Sequence, residues 1–174
     1  HYWDDDHGGY FYSADDATDL ITRMRHCNDN AVPAGNATIT GVLIRLWLLT
    51  GGEAHRARAE AVFEAFAPEL LRNFFPLTSY VNQLEFMLRP VQVVILGHND
   101  DADTRALLRR VHAESLPDCL LQVLEPGQTL PGTHPAAGKS QVDGKATAYV
   151  CIGPVCSLPV TTPDALGEAL QLSA

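Results

Sequence analysis

Apolar residues recur at helical spacing from Asn36 onward. Ile39, Val42, Leu43, Leu46 and Trp47 share a face, and Ile44, Leu48 and Leu49 fill most of the others. The pattern predicts a helix over 36–49 with Arg45 as its only charge, apolar nearly all round and so buried on more than one side. Thr50-Gly51-Gly52 stops it. A second helix is predicted over 53–72, with Ala57, Ala61, Val62, Ala65 and Phe66 on one face and Arg56, Glu60 and Glu64 at i,i+4 steps on a solvated face. Pro68 predicts a kink or a restart within it. A third helix over 77–88 carries Val81, Leu84 and Leu88 and ends before Pro90. Consecutive helices joined by short turns form an αα-hairpin pattern.

The pattern changes on either side of this helical stretch. Residues 1–16 alternate aromatics with acids around Gly8-Gly9, which predicts a short hairpin or an ordered loop. Asp15 and Asp16 are placed to cap a short helix through about Met24. Beyond Pro90 the period shortens. Strands are predicted over 91–96, 119–124 and 147–152, with a fourth at about 156–160. A helix capped by Asp103 carries Leu107, Leu108 and Val111, and Pro163 opens a last helix through Leu172. Residues 125–144 hold three prolines and four glycines and read as a long surface loop. Strands separated by helices imply parallel neighbours with right-handed crossovers. The expected fold is α+β, with a helical-hairpin region over 1–90 and a small α/β unit over 91–174 containing three to four mostly parallel strands.

Charge narrows the function. The 174 residues hold 12 Lys+Arg and 21 Asp+Glu, a net charge of -9. Up to Pro90 there are 12 acidic and 7 basic residues (-5), and beyond it 9 and 5 (-4), so no basic stripe is left to track phosphates. Nucleic acid is not an expected partner. No apolar run approaches the roughly 20 residues of a membrane span, so no membrane association is expected. The chain opens at His1 within what reads as a folded element and carries no signal-peptide pattern, as expected of a piece of something longer. Four scattered cysteines do not make a disulfide framework, and a cytoplasmic location follows as the default.

Several stretches carry candidate chemistry. Gly138-Lys139-Ser140 lacks the glycine a phosphate loop needs, because Thr133 stands there and Gly132 misses by one. The turn at Gly97-His98-Asn99-Asp100 has no glycine fingerprint, and its acids would repel a phosphate, so capping is its expected role. The seven histidines form no ligand pair at helical spacing, and no metal site or cofactor is expected. Cys151 and Cys156 face each other if their strands form a hairpin, with Cα atoms about 4.5–5.5 Å apart. Packed, reduced thiols are the favoured reading, ahead of a reversible disulfide and of a metal site; Cys27 and Cys119 read as ordinary thiols. Asn28-Asp29-Asn30-Ala31-Val32-Pro33-Ala34-Gly35-Asn36 leads directly into the most apolar helix. Its side chains either cap and turn or converge on a ligand.

That last segment resembles the "D-[GN]-A-x-P-S-[GA]-N" motif of thioredoxin-domain-containing proteins of the spermatogenesis-associated type, with Ala34 where Ser is common. Trp3-Asp4 through Gly8-Gly9-Tyr10-Phe11, Leu49-Thr50-Gly51, Val93 to Gly97, and Ala148-Tyr149-Val150-Cys151 with Cys156 and Pro159-Val160 match further family motifs in order. The resemblance implies a C-terminal segment of a protein with a thioredoxin-like domain and an (α/α)6 toroid, similar to N-acylglucosamine 2-epimerase and six-hairpin glycosidases. It would lack the N-terminal thioredoxin-like domain and the first toroid segments. The function this implies is a fragment of a sugar-binding or sugar-converting protein, inactive alone. Trp3, Tyr10, Asn30 and Asn36 are the expected carbohydrate contacts and Asp29 the expected acid/base residue. The alternative is a redox or interaction module in which Cys151 and Cys156 exchange with the thioredoxin-like domain. With its toroid neighbours missing, the 36–49 helix is expected to dock on another chain or to self-associate.

Overall fold

A computed structural model describes residues 1–130, 132, 134, 136–153 and 155–171. It divides into two compact units, His1–Met87 and Leu88–Ala174.

The first unit is helical behind an irregular N-terminal segment. Trp3 and Tyr10 pair in an antiparallel bridge, and Phe11 N–H donates to the Tyr2 carbonyl, closing a loop around Gly8 and Gly9. Both glycines have positive φ (74° and 82°), and a β-carbon on Gly8 would lie 2.8 Å from the Ala61 carbonyl oxygen. Glycine is needed there both for conformation and for room. The helix expected after Asp15 and Asp16 is not formed. Residues 13–26 run as irregular chain, because Tyr12 N–H donates to the Met24 carbonyl and the Arg23 guanidinium holds the carbonyls of His1 and Ser13. Those contacts hold the chain away from its own i−4 carbonyls.

Helix α1 spans Gly35–Thr50 and α2 spans Glu53–Arg72. Gly51 between them takes the left-handed conformation (φ 68°) and donates its N–H to the Trp47 carbonyl. Pro68 neither stops nor restarts α2. The buried line of α2 is Ala59, Val62, Phe63 and Phe66, so the apolar stripe is rotated from the expected one and Ala57 is exposed. The bulk of Phe63 decides this: it packs edge-to-face on Tyr80, with ring centroids 5.2 Å apart. A 3-10 turn, Phe75–Leu77, leads into α3, Thr78–Leu88. Helix α3 buries Tyr80 and Phe86, whereas Leu88, expected to face inward, is 72% exposed. Arg45, the one charge of α1, stacks on the Phe86 ring at 4.6 Å.

The second unit is a four-stranded sheet with helices on one face. Strands β1 (Val91–Leu96), β2 (Cys119–Leu124), β3 (Thr147–Ile152) and β4 (Val155–Cys156) lie in the order β2-β1-β3-β4. Helix α4 (Ala102–His112) links β1 to β2, and α5 (Pro163–Gln171) follows β4; the expected end at Leu172 lies outside the described residues. The α+β class is as expected, but the parallel majority is not. Only β1 and β2 are parallel, while β1–β3 and β3–β4 are antiparallel. The connection from β2 to β3 is the long loop rather than a helix, and Leu124 and Thr147 flank Leu96 from either side at the same end of the sheet. A chain that leaves and re-enters at the same end of the strands must reverse direction. The fourth strand is two residues long and earlier than expected, and Val160 makes only an isolated bridge with Ala148.

Side chains alternate across this sheet. Val93, Ile95, Ala148 and Val150 pack under Leu107, Val111, Leu166 and Leu170 of the helices. Val94, Leu96, Tyr149 and Cys151 form a second apolar cluster on the opposite face with Ala136 of the long loop. Five consecutive residues of β1 are at most 4% exposed. No helix among the described residues is long and apolar enough to cross a membrane.

Candidate functional site

A concave site lies in the helical unit, where the N-terminal aromatics meet the start of α1. It is an open cleft of about 430 Å³ lined by Tyr2, Tyr10, Phe11, Tyr12, Gly35, Asn36 and Ile39. The cleft exists because Asn36 pins the N-terminal loop to α1. Asn36 is 2% exposed, and its Oδ1 accepts the Tyr10 N–H at 2.7 Å. Its Nδ2 donates to the carbonyls of Tyr10 (2.9 Å) and His26 (3.0 Å). One carboxamide thus satisfies both backbone groups of Tyr10 and ties a second extended segment to the helix. Only Asn or Gln offers an acceptor and two donors on one planar group.

The aromatic walls are braced from behind. Tyr10 meets Trp3 edge-on at 4.9 Å, and Arg58 lies over the Trp3 ring at 5.2 Å. Tyr12 stacks on His26 at 4.5 Å, and Arg23 lies over Phe11 at 4.0 Å. Beneath the loop sits Asp4, 7% exposed, whose Oδ1 accepts the N–H groups of Asp6 and His7 and whose Oδ2 faces Arg25 at 3.2 Å. Burial alone would raise its pKa, but the two backbone hydrogen bonds and the Arg25 charge outweigh that and hold it below the usual value. Arg25 also donates to the Gly8 carbonyl. No carboxylate is among the lining residues, and the surface the cleft offers a ligand is almost wholly apolar, chiefly aromatic.

The residues expected to form a site are placed unevenly. Tyr10 lines the cleft, and Trp3 supports it from behind. Asn36 is at its base, with both polar atoms committed to backbone. Asp29 is a brace: Oδ1 accepts the Ala34 N–H at 2.9 Å and Oδ2 accepts the Ser79 N–H at 2.7 Å, tying the turn before α1 to the first turn of α3. Although burial opposes it, these bonds lower its pKa, which suits a fixed anion better than a proton donor. Asn30 stabilises its own turn by accepting the Ala31 N–H, and it is not among the cleft residues. Ligand-type side chains also gather at Asp4, Asp6 and His7 and at His1, Asp15 and Asp16. Asp4 is already held by its own loop and by Arg25, and the second group lies on the surface with His1 paired to Asp15.

In the α/β unit, Cys151 and Cys156 are bonded to each other, with Cα atoms 3.9 Å apart. The favoured reading of two reduced thiols does not describe the structure, and the separation is shorter than expected. The pair sits at a non-hydrogen-bonded position of the β3–β4 ladder, where facing side chains are closest. The adjacent pair, Val150 and Ser157, carries the hydrogen bonds. Cys27 and Cys119 are free.

Across 98% of its length the chain aligns with spermatogenesis-associated protein 20 from rat at 32% identity, and from human and mouse at 30%. The chain is homologous to one segment of that protein. It spans only 22% of these relatives. No family model matches the chain, and no solved structure matches it.

The homology to spermatogenesis-associated protein 20 runs through both units, so the cleft and the bonded cysteines belong to one related stretch. Sequence reasoning missed Tyr2, Phe11, Tyr12 and Ile39 as lining residues. The aromatic run 10–12 was the available signal, but its partner surface on α1 lies more than twenty residues away in the chain. His26 was also missed; nothing in its neighbours announces a stack on Tyr12.

Proposed function

We propose that the aromatic cleft is part of a carbohydrate-binding surface of a longer protein, to which this chain contributes closing helices and an α/β appendage. Sugar rings present flat C–H faces to aromatic rings and hydroxyls to polar neighbours. The carrying observation is a cleft walled by four aromatic side chains, three of them tyrosines, with no charged group among its lining residues. The family resemblance supports the same reading, since it implies a toroid similar to those of sugar epimerases and glycosidases, preceded by a thioredoxin-like domain. Catalysis is assigned to the longer protein alone, because this chain supplies three long helices and no free carboxylate in the cleft.

Isothermal titration of the longer protein with neutral mono- and disaccharides tests this. Binding of at least one sugar is expected, weakened about tenfold or more by Tyr12→Ala, a loss of roughly 1.4 kcal/mol. No heat with any sugar overturns the reading. The isolated chain should show no sugar turnover, and turnover at the parent's rate would overturn the assignment of catalysis.

A further inference from the structure

We propose that the Cys151–Cys156 bond is a thiol–disulfide exchange site that external thiols enter at Cys156. The proposal concerns the α/β unit and is independent of the carbohydrate reading.

Accessibility gives the direction. Cys151 is wholly buried on the face of β3 that carries Tyr149, whereas Cys156 is part-exposed on β4, the edge strand. Its neighbours Val155 and Leu158 are 71% and 84% exposed, so an incoming thiolate meets the chain there. The sulfur it can reach is that of Cys156. In the first step the external sulfur bonds to Cys156 Sγ while the Cys151–Cys156 bond breaks, and its electron pair leaves on Cys151 Sγ, which then takes up a proton. A second equivalent of thiol attacks the external sulfur of the mixed disulfide and releases Cys156 as a thiol. Two external thiols become one disulfide, and the protein disulfide becomes two thiols.

The surroundings leave the exchange local. Cys119 lies on the other face of the sheet, in the cluster under the helices, and Cys27 is in the helical unit. Neither can resolve the pair from within the α/β unit. The strand that the bond secures is two residues long. The buried members of the two clusters that hold the sheet come from β1, β3, α4, α5 and the long connection (Ala136, Ala146), with Cys156 only packed against the second from its margin. A partner for the reduced state is already in place. Gln92 stands directly opposite Cys151 in the β1–β3 register, is 4% exposed, and its Oε1 accepts no hydrogen bond. Directly opposed side chains are within reach of each other. A Cys151 S–H offers that oxygen a donor that the disulfide cannot.

The 174-residue chain is equilibrated in buffers of graded reduced-to-oxidised glutathione, quenched in acid, and labelled with a thiol-specific mass tag. Circular dichroism follows the fold in parallel. Cys151 and Cys156 are expected to gain tags together over a range in which the sheet signal is unchanged. In a second arm, oxidised glutathione should modify Cys156 in Cys151→Ser at least tenfold faster than Cys151 in Cys156→Ser. If the pair stays bonded until the sheet unfolds, or if the two single cysteines react at equal rates, the proposal falls. The titration of the unaltered chain decides the first point even if a variant fails to fold.

Discussion

The two units bury their apolar residues to different extents. In the α/β unit, β1 is closed on both faces and the helices cover one of them. In the helical unit Val42, Leu46 and Leu49 of α1 are 36–44% exposed, and Leu71, Phe74 and Phe75 are 62–89% exposed. The first unit adds to its buried Phe66, Tyr80 and Phe86 a set of polar pins between loop and helix: Asn36 on Tyr10 and His26, Asp29 on Ala34 and Ser79, Asp4 on its own loop. A sheet with helices on one face and a loop on the other can complete its core within about 90 residues, whereas two further helices cannot surround a helix that is apolar nearly all round. The homologous protein is more than four times as long as this chain, and an apolar α1 fits a helix covered by further chain.

The largest expected effect is in the closed unit. Ile95→Ala removes a fully buried side chain from the sheet centre and should cost about 2–5 kcal/mol, read by thermal unfolding. A loss below about 1 kcal/mol would show that this core is less tight than its burial implies. Asn36→Ala should cost roughly 2–3 kcal/mol in the helical unit, because it strands the backbone groups of Tyr10 and the His26 carbonyl. Both tryptophans, Trp3 and Trp47, lie in that unit, so tryptophan fluorescence reads the loss there alone. Unchanged unfolding would remove the pin from the account.

Acid should separate the units further. His134 lies in the long loop, with Nδ1 accepting the Ala136 N–H and Nε2 facing Gln122 Oε1, and burial lowers its pKa from 6.5. Because the folded value is the lower one, this group's contribution is fully present above about pH 6.5 and is lost as pH falls from there through the folded value. Asp4 and Asp29 also have lowered values, against an ordinary 3.8, so their contribution persists until pH falls below about 3.8. Between pH 7 and 5 hydrogen exchange should rise around His134 in wild type but not in His134→Gln, with little change at Tyr10 or Ser79. Equal loosening of both units in that window would contradict the assignment. The smallest effect is expected at the exposed stripe of α1. Leu46→Gln with Leu49→Gln should change the stability of this chain by no more than about 0.5 kcal/mol per site, yet weaken packing in the longer protein. A large loss in the chain alone would mean that it already buries the stripe.

The sequence by itself determined the elements. Helical spacing located α1 and α2 to within a residue or two, short apolar runs located β1, β2 and β3, and Gly51 and Pro163 marked an end and a start, because these signals are local. It also put Cys151 and Cys156 opposite each other on the condition that their strands form a hairpin, a condition that the fold meets. Tertiary structure decided what local signals do not carry. Arg23 and Tyr12 override the capping potential of Asp15 and Asp16, and Phe63 rotates the buried stripe of α2. The long loop sets β3 antiparallel to β1, and Asp29 and Asn36 brace segments distant in the chain. Each of these depends on a partner distant in the chain. A carboxylate or carboxamide takes its role from the donors and acceptors that folding brings to it.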